Sequence, residues 1–410
     1  MSQSTERTGF LPDGDVRVYS WIAVVALGIL VGLYGVVRLL TEGTVVLGIT
    51  DQVPWGILIS TYEFFLLMSA GVMVGVVALS LVFDLERFDV VLKRAALVAL
   101  ATLSAGLFTI LVSLGQPLRP FVHALVNANL SSPMWWVICF AGVFGAVLLA
   151  LVVVLHRDVG SDTLTRGLGI AGLFAGLGVA VAAGMIFGTA EIRSYYGGPL
   201  APVYFVLTGL LTGVAAIAVA TVGEVKLTSS EPSDDLRELL TGTVAPLLGL
   251  LLGATLLLAL VKAAYGLTAT SNSTALAYEQ MLLGSFGPVY WIVGILLGLL
   301  VPLGLLAIPA TRTADGVFAA SVFALLGVFV MRYEFVVGGQ VAALVSDGGN
   351  QYPVASYAPS GTELAVVVFA FALCALVYTA GSWLLNVESA ETGRMRTTPT
   401  TAGTGGDDDD

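Results

Sequence analysis

Residues 57–83 read ILISTYEFFLLMSAGVMVGVVALSLVF, an apolar run holding one carboxylate, Glu63, and no cation. At 1.5 Å per residue such a helix is long enough to cross a hydrocarbon layer of about 30 Å. A lone strand there would leave its backbone groups unpaired in lipid, so helix is the expected state. An acid kept inside a run of this kind is costly and marks a residue with a task. The run opens after Pro54–Gly56 and leads, through a second apolar segment, to the polar Gln116–Arg119 loop.

Working outward, nine more segments have similar length and character. The ten lie near 19–41, 57–83, 93–113, 133–155, 166–190, 200–223, 242–265, 289–310, 316–335 and 363–386. The eighth and ninth are parted only by the short turn Thr311–Gly316. Hydrophobic residues make up 57% of 410 and charged residues 11%, where a soluble domain carries about 25% charged. The fold class read from this is all-α, integral membrane, with ten transmembrane helices. Nothing basic or repetitive suggests nucleic acid. The paired glycines Gly28/Gly32, Gly71/Gly75, Gly172/Gly176 and Gly294/Gly298 predict close helix–helix packing.

Residues 1–18 are polar, lack an apolar core and contain Pro12 and Gly14; they read as a short disordered arm with no signal peptide. The stretch 387–410 ends in Asp407–Asp410 and reads as a disordered acidic tail; with the net charge of -11, it suits a salt-adapted surface. With ten spans, five of the 17 Lys and Arg fall at one face: Arg38, Arg119, Arg193, Lys262 and Arg332. The other twelve fall at the face of the termini, so both termini are expected to be cytoplasmic in a multi-pass protein of the cell membrane. The longer loops 42–56, 114–132, 266–288 and 336–362 then face outward, where a partner would dock.

Several residues carry possible chemistry. Glu63 lies roughly 9 Å below the outer end of its helix. It either handles a proton or hydrogen-bonds a carbonyl, or else it pairs with Arg119 or Arg193 or is kept neutral by burial. Tyr62 precedes it; Gln116, Arg119 and His123 occupy the outer loop; Glu191, Arg193, Tyr195 and Tyr196 follow the fifth segment. A second cluster, Arg332, Tyr333, Glu334, Gln340 and Glu363, reads as structural, with Glu363 capping the last helix. Cys139 and Cys374 form no CxxC, and the two histidines, His123 and His156, lie at opposite faces. A bis-histidine haem, an Fe–S cluster or a metal centre on this chain is therefore not expected.

These blocks resemble a known family. Pro54–Gly56 with Ser69–Gly71, the Leu114–Arg119 loop, Ser132–Trp136, GGPLAPVYFVLTGLLTG (197–213), SFGPVYWIVGILLGLLVPL (285–303), RYEFVVGGQ (332–340) and SYAPSGTE (356–363) follow the order of the NrfD/PsrC family, across about residues 53–365. Ser113 stands where the family commonly has Asp, and Gln116 where it commonly has Arg.

The resemblance implies the longer, ten-helix branch: two four-helix bundles, 57–190 with a quinone site and 200–335, flanked by helices 19–41 and 363–386. It implies a membrane anchor of a multisubunit oxidoreductase, not catalytic alone. Such an anchor exchanges electrons between a quinol, menaquinol included, and an Fe–S or haem partner on the outer face. A molybdopterin or cytochrome subunit lies beyond. Glu63 would then be the proton-handling residue, with Tyr62, Gln116, Arg119, His123, Glu191, Arg193 and Tyr195 around the quinone. Asp84, Glu86 and His156 would mark an inner proton path. A secondary transporter, or an anchor with a purely structural task, is the alternative.

Overall fold

The computed structural model describes residues 16–116, 119, 122, 126, 128–157, 160–190, 193–342, 354–385 and 387. Most of the expected N-terminal arm, the acidic tail, His123 and Glu191 lie outside them. Among the described residues ten helices are long and apolar enough to cross a membrane: α1 Val16–Val46, α2 Ile57–Leu81, α3 Glu86–Ser113, α4 Pro133–Arg157, α5 Asp162–Gly188, α6 Leu200–Leu227, α7 Asp234–Leu267, α8 Gly287–Ala307, α9 Ala314–Val341 and α10 Gly361–Leu385. Because ten is even, Val16 and Leu385 share one face, here the terminal face; the opposite one is the distal face. The protein is an integral, multi-pass membrane protein.

Helix boundaries depart from the apolar runs where polar residues serve helix ends. Helix α7 begins at Asp234, ahead of the run near 242, because Ser233 caps it with Oγ accepting from Leu236 N–H at 3.3 Å. Asp234 and Asp235 then sit in its first turn, where the dipole favours acids. The distal loop 266–288 holds a further short helix, Asn272–Leu282, too polar to stand out by hydropathy.

Neighbour contacts join α2 to α3, α3 to α4, α4 to α5 and α5 back to α2. A second ring joins α6, α7, α8 and α9 in the same way. This agrees with two four-helix bundles. Helix α2 is their shared spine: it packs on α6 and α9 across the seam, and 89% of its most apolar stretch is buried. For α1 that share is 28%. The seam is close because glycines face glycines. A Cβ on Gly71 would fall 1.8 Å from the Gly209 carbonyl oxygen, and one on Gly213 would fall 2.2 Å from the Gly71 carbonyl carbon. Helices α1 and α10 pack against each other, and α10 also lies on α3, so the two flanking helices form one pair on one side.

Four helices contain π-helical turns, at Met73–Val77, Leu239–Val244, Tyr290–Leu300 and Glu334–Gly338. Such turns gather at functional sites. The last of them lies in the region described next.

Candidate functional site

The distal half of the seam between the bundles holds a buried group of charges. Helix α2 brings Glu63, 1% exposed, one turn below Ser60, which is also buried. Helix α9 brings Arg332, 1% exposed, on the side facing α2 and α6. The guanidinium carbon of Arg332 lies 3.9 Å from the centroid of the Phe205 ring and 5.1 Å from that of Tyr204. Its Nη2 donates to Thr208 Oγ1 at 2.6 Å. These contacts fix the plane of the fork, as a stacked arginine requires.

Arg332 is not closed into an ion pair. Glu63 and Arg332 feel each other's charge, yet no ion pair within 4.0 Å joins them among the described residues. Glu63 Oε2, Ser60 Oγ, and Nε and Nη1 of Arg332 are buried with no hydrogen-bond partner among the described residues. Buried polar atoms are nearly always paired, so four open ones on two side chains and a neighbouring serine are notable. An acceptor oxygen and two guanidinium donors suit a small polar group that carries both a hydroxyl proton and a developing negative oxygen.

A second charge pair adjoins the first, Glu334 buried and Lys262 half-buried. Glu334 opens the last π-helical turn of α9 and accepts a hydrogen bond from the Tyr195 hydroxyl. Burial, and then the Glu334 carboxylate, hold the Tyr195 phenol well above its ordinary range, so it stays protonated and donates. Lys262 of α7 sits in a ring of aromatics, its Nζ 4.2 Å from the Tyr195 centroid and 4.4 Å from that of Phe335. Its ammonium and the Glu334 carboxylate lie close enough to attract each other. The Tyr278 hydroxyl, from the short distal helix, is buried beside them without a partner among the described residues.

Around this core the chain is clasped by amides and carboxylates. Gln340 exchanges two hydrogen bonds with Trp55: Trp55 N–H donates to Oε1 at 2.9 Å, and Nε2 donates to the Trp55 carbonyl at 2.8 Å. Arg193 donates to the carbonyls of Gln340 at 2.6 Å and Gln52 at 3.3 Å. Glu363 and Ser360 form a capping box, Ser360 N–H donating to Oε2 at 2.8 Å and Glu363 N–H to Ser360 Oγ at 3.2 Å. Glu363 Oε1 further accepts from the Tyr357 hydroxyl at 2.8 Å.

Of the residues singled out in the sequence, Tyr62, Glu63 and Tyr195 lie buried in the distal half. Arg193 serves the loop backbone, not Glu63. Gln116 and Arg119 are exposed on the distal loop, and neither faces Glu63. His123 and Glu191 lie outside the described residues. Asp84 and Glu86 are exposed at the terminal face, Asp84 paired with Arg166 at 3.3 Å. His156 Nδ1 lies 2.9 Å from the Val152 carbonyl. Arg332, which reads as structural in the sequence, lies buried against Tyr204, Phe205 and Thr208, within electrostatic reach of Glu63. Lys262 reads there only as a distal-end charge, although it is a lone cation within an apolar run followed by Tyr265.

Comparison with known proteins gives the same assignment as the motifs. The family described as "Polysulphide reductase, NrfD" matches residues 45–343. A selenate reductase subunit of Mesobacillus selenatarsenatis is 27% identical over 79% of this chain and 82% of its own length. A provisionally named dimethyl sulfoxide reductase membrane subunit of Halobacterium salinarum is 26% identical over 90% of the chain and 92% of its own length. The menaquinone reductase integral membrane subunit of Nitratidesulfovibrio vulgaris is 23% identical over 87% and 90%. With more than half its length matched, this chain belongs to the NrfD polysulphide reductase family of membrane subunits.

Proposed function

We propose that this chain is the quinol-reactive membrane subunit of a multisubunit oxidoreductase, and that Glu63 and Arg332 bind the quinone headgroup between them. The observation that carries this reading is the set of open, buried polar atoms on the two side chains. Quinol oxidation releases two protons and two electrons. The Glu63 carboxylate takes one hydroxyl proton, while the Arg332 donors bind the oxygen that gains negative charge. The second proton leaves with the distal solvent, and both electrons pass to an Fe–S or haem partner docked on the distal loops, ahead of a molybdopterin or cytochrome subunit. Quinone reduction runs the same steps in reverse. The relatives named as reductase subunits, one of them a menaquinone reductase, support this class of partner and substrate.

In this reading the terminal face is cytoplasmic and the distal face outward, in line with the bias of Lys and Arg. Residues 57–190 supply Glu63, and 200–335 supply its counter-charge, so the site belongs to both bundles.

The test uses the assembled complex in proteoliposomes, with menaquinol as donor and, separately, an artificial donor that feeds the catalytic subunit directly. Glu63→Gln is expected to lower menaquinol-dependent turnover about a hundred-fold or more, the range of a lost general base, and to leave artificial-donor activity intact. Unchanged menaquinol turnover would remove Glu63 from the mechanism.

A further inference from the structure

The terminal half of the protein holds two hollows that meet at one side chain. The larger is an apolar cavity of about 940 Å³ between α1, α2, α3, α6, α9 and α10. Its upper end is lined near mid-membrane by Phe64, Phe65, Phe329 and Phe371, whose rings pack edge to face, and it opens toward the lipid beside Phe371 and Leu326. Its lower end lies near Trp21, which donates from Nε1 to Thr379 Oγ1 at 3.0 Å, an aromatic anchor at interface depth. A volume near the top of the range for ligand pockets, about 300–1,000 Å³, is large for a packing defect.

The second hollow, of about 470 Å³, lies at the terminal face between α6, the start of α7 and the turn before α9. Three cations line it: Lys226, Arg237 and Arg312. Lys226 is paired with Asp315 at 2.6 Å, itself part of the lining, and Arg237 with Glu231 at 3.3 Å. Arg312 has no ion-pair partner among the described residues. The cup therefore keeps an excess of positive charge.

Lys226 lines both hollows. Its Nζ lies 5.7 Å from the centroid of the Phe318 ring, which belongs to the apolar cavity, while its ion pair belongs to the cup. A single object that fills both spaces has an anionic end at the membrane surface and bulky apolar chains reaching to mid-membrane. We infer that a two-chain anionic phospholipid is bound here, its phosphate in the cup beside Arg312 and Lys226 and its chains in the cavity. Arg312, with no ion-pair partner among the described residues, and the net positive lining of the cup select this occupant over an isoprenoid quinone, whose headgroup is neutral. Basic pockets between membrane helices on this side of a bilayer bind anionic headgroups for the same reason. The headgroup cup lies at the opposite end of the helices from Glu63, and the ring of Phe64, the residue after Glu63, lines the near end of the chain cavity.

Lipid retained by the purified protein in detergent, extracted and weighed by mass spectrometry, tests the inference. The wild type is expected to hold about one anionic phospholipid per chain. In nanodiscs, phosphatidylcholine doped with phosphatidylglycerol should raise the thermal midpoint over phosphatidylcholine alone. Arg312→Gln should weaken the phosphatidylglycerol effect about five-fold, the share of one cation near a charged membrane surface. Ala220→Phe, which fills the cavity from α6, should remove bound lipid while leaving the cup's cations in place. The inference fails if retention and the midpoint are the same for both headgroups, if Arg312→Gln changes neither, or if the retained molecule is an isoprenoid quinone. A variant that does not fold is recognised by its lost midpoint, and the headgroup comparison on the wild type then decides alone.

Discussion

Two buried charge groups sit at opposite halves of the same seam, and they are built differently. In the terminal half, Arg94 Nε meets Glu224 Oε2 at 3.4 Å, and the Tyr378 hydroxyl donates to that oxygen at 2.5 Å. Both charged side chains are 4% exposed. In the distal half, Glu63 and Arg332 are equally buried but stand apart with open atoms. The first is an ion pair that ties helices α3, α6 and α10 together, and in the second the opposite charges have not met. If the met pair is structural and the unmet one is the proposed quinol site, the two carboxylates should respond differently to neutralisation.

The sharpest way to break this contrast is to neutralise each carboxylate in turn. Glu63→Gln should cost about a hundred-fold in menaquinol turnover. Glu224→Gln should leave turnover within about two-fold, measured on the same proteoliposomes. Equal losses would end the distinction. Arg332→Lys keeps the charge but loses the stack on Phe205 and the fixed fork toward Thr208. It should lower turnover about ten-fold, with a raised KM for menaquinol, because an ammonium does not replace a planar donor pair.

Stability should show the opposite ranking. Arg94→Ala strands Glu224 in the core and should destabilise the protein by about 3 kcal/mol or more, read as a lower thermal midpoint in detergent. The smallest effect should come from Ser360→Ala. It removes one side of the capping box on α10, about 1 kcal/mol, with quinol turnover unchanged.

The membrane helices are legible in the sequence because hydropathy over some twenty residues is an additive property of local composition. Glu63 is legible for the same reason, as the single acid in an apolar run. Its proposed counter-charge is not, since Arg332 belongs to an unrelated run far along the chain, and only the packing of α2 on α9 brings the two helices together. Lys262 escapes notice because counting cations near loop ends cannot tell a snorkelling lysine from one turned into a ring of Tyr195, Tyr204, Tyr278 and Phe335. Glu363 can be read correctly because a Ser-Gly-Thr-Glu capping box is a local device. Arg193 cannot, since its carbonyl partners come from a remote loop, at Gln52, and from the distal end of α9, at Gln340.

The π-helical turn at Glu334–Gly338 has one more consequence. It inserts a residue into the helix, so everything after it on α9 is phased one position late relative to Arg332. Were this turn to rewind as regular α-helix with no residue deleted, Gln340 would swing by about 100° about the axis. The amide would leave Trp55, and the distal start of α2 would lose the splint that fixes its depth. Alignments of related chains that force a gap elsewhere will therefore misplace Gln340, even when every residue of the motif is present.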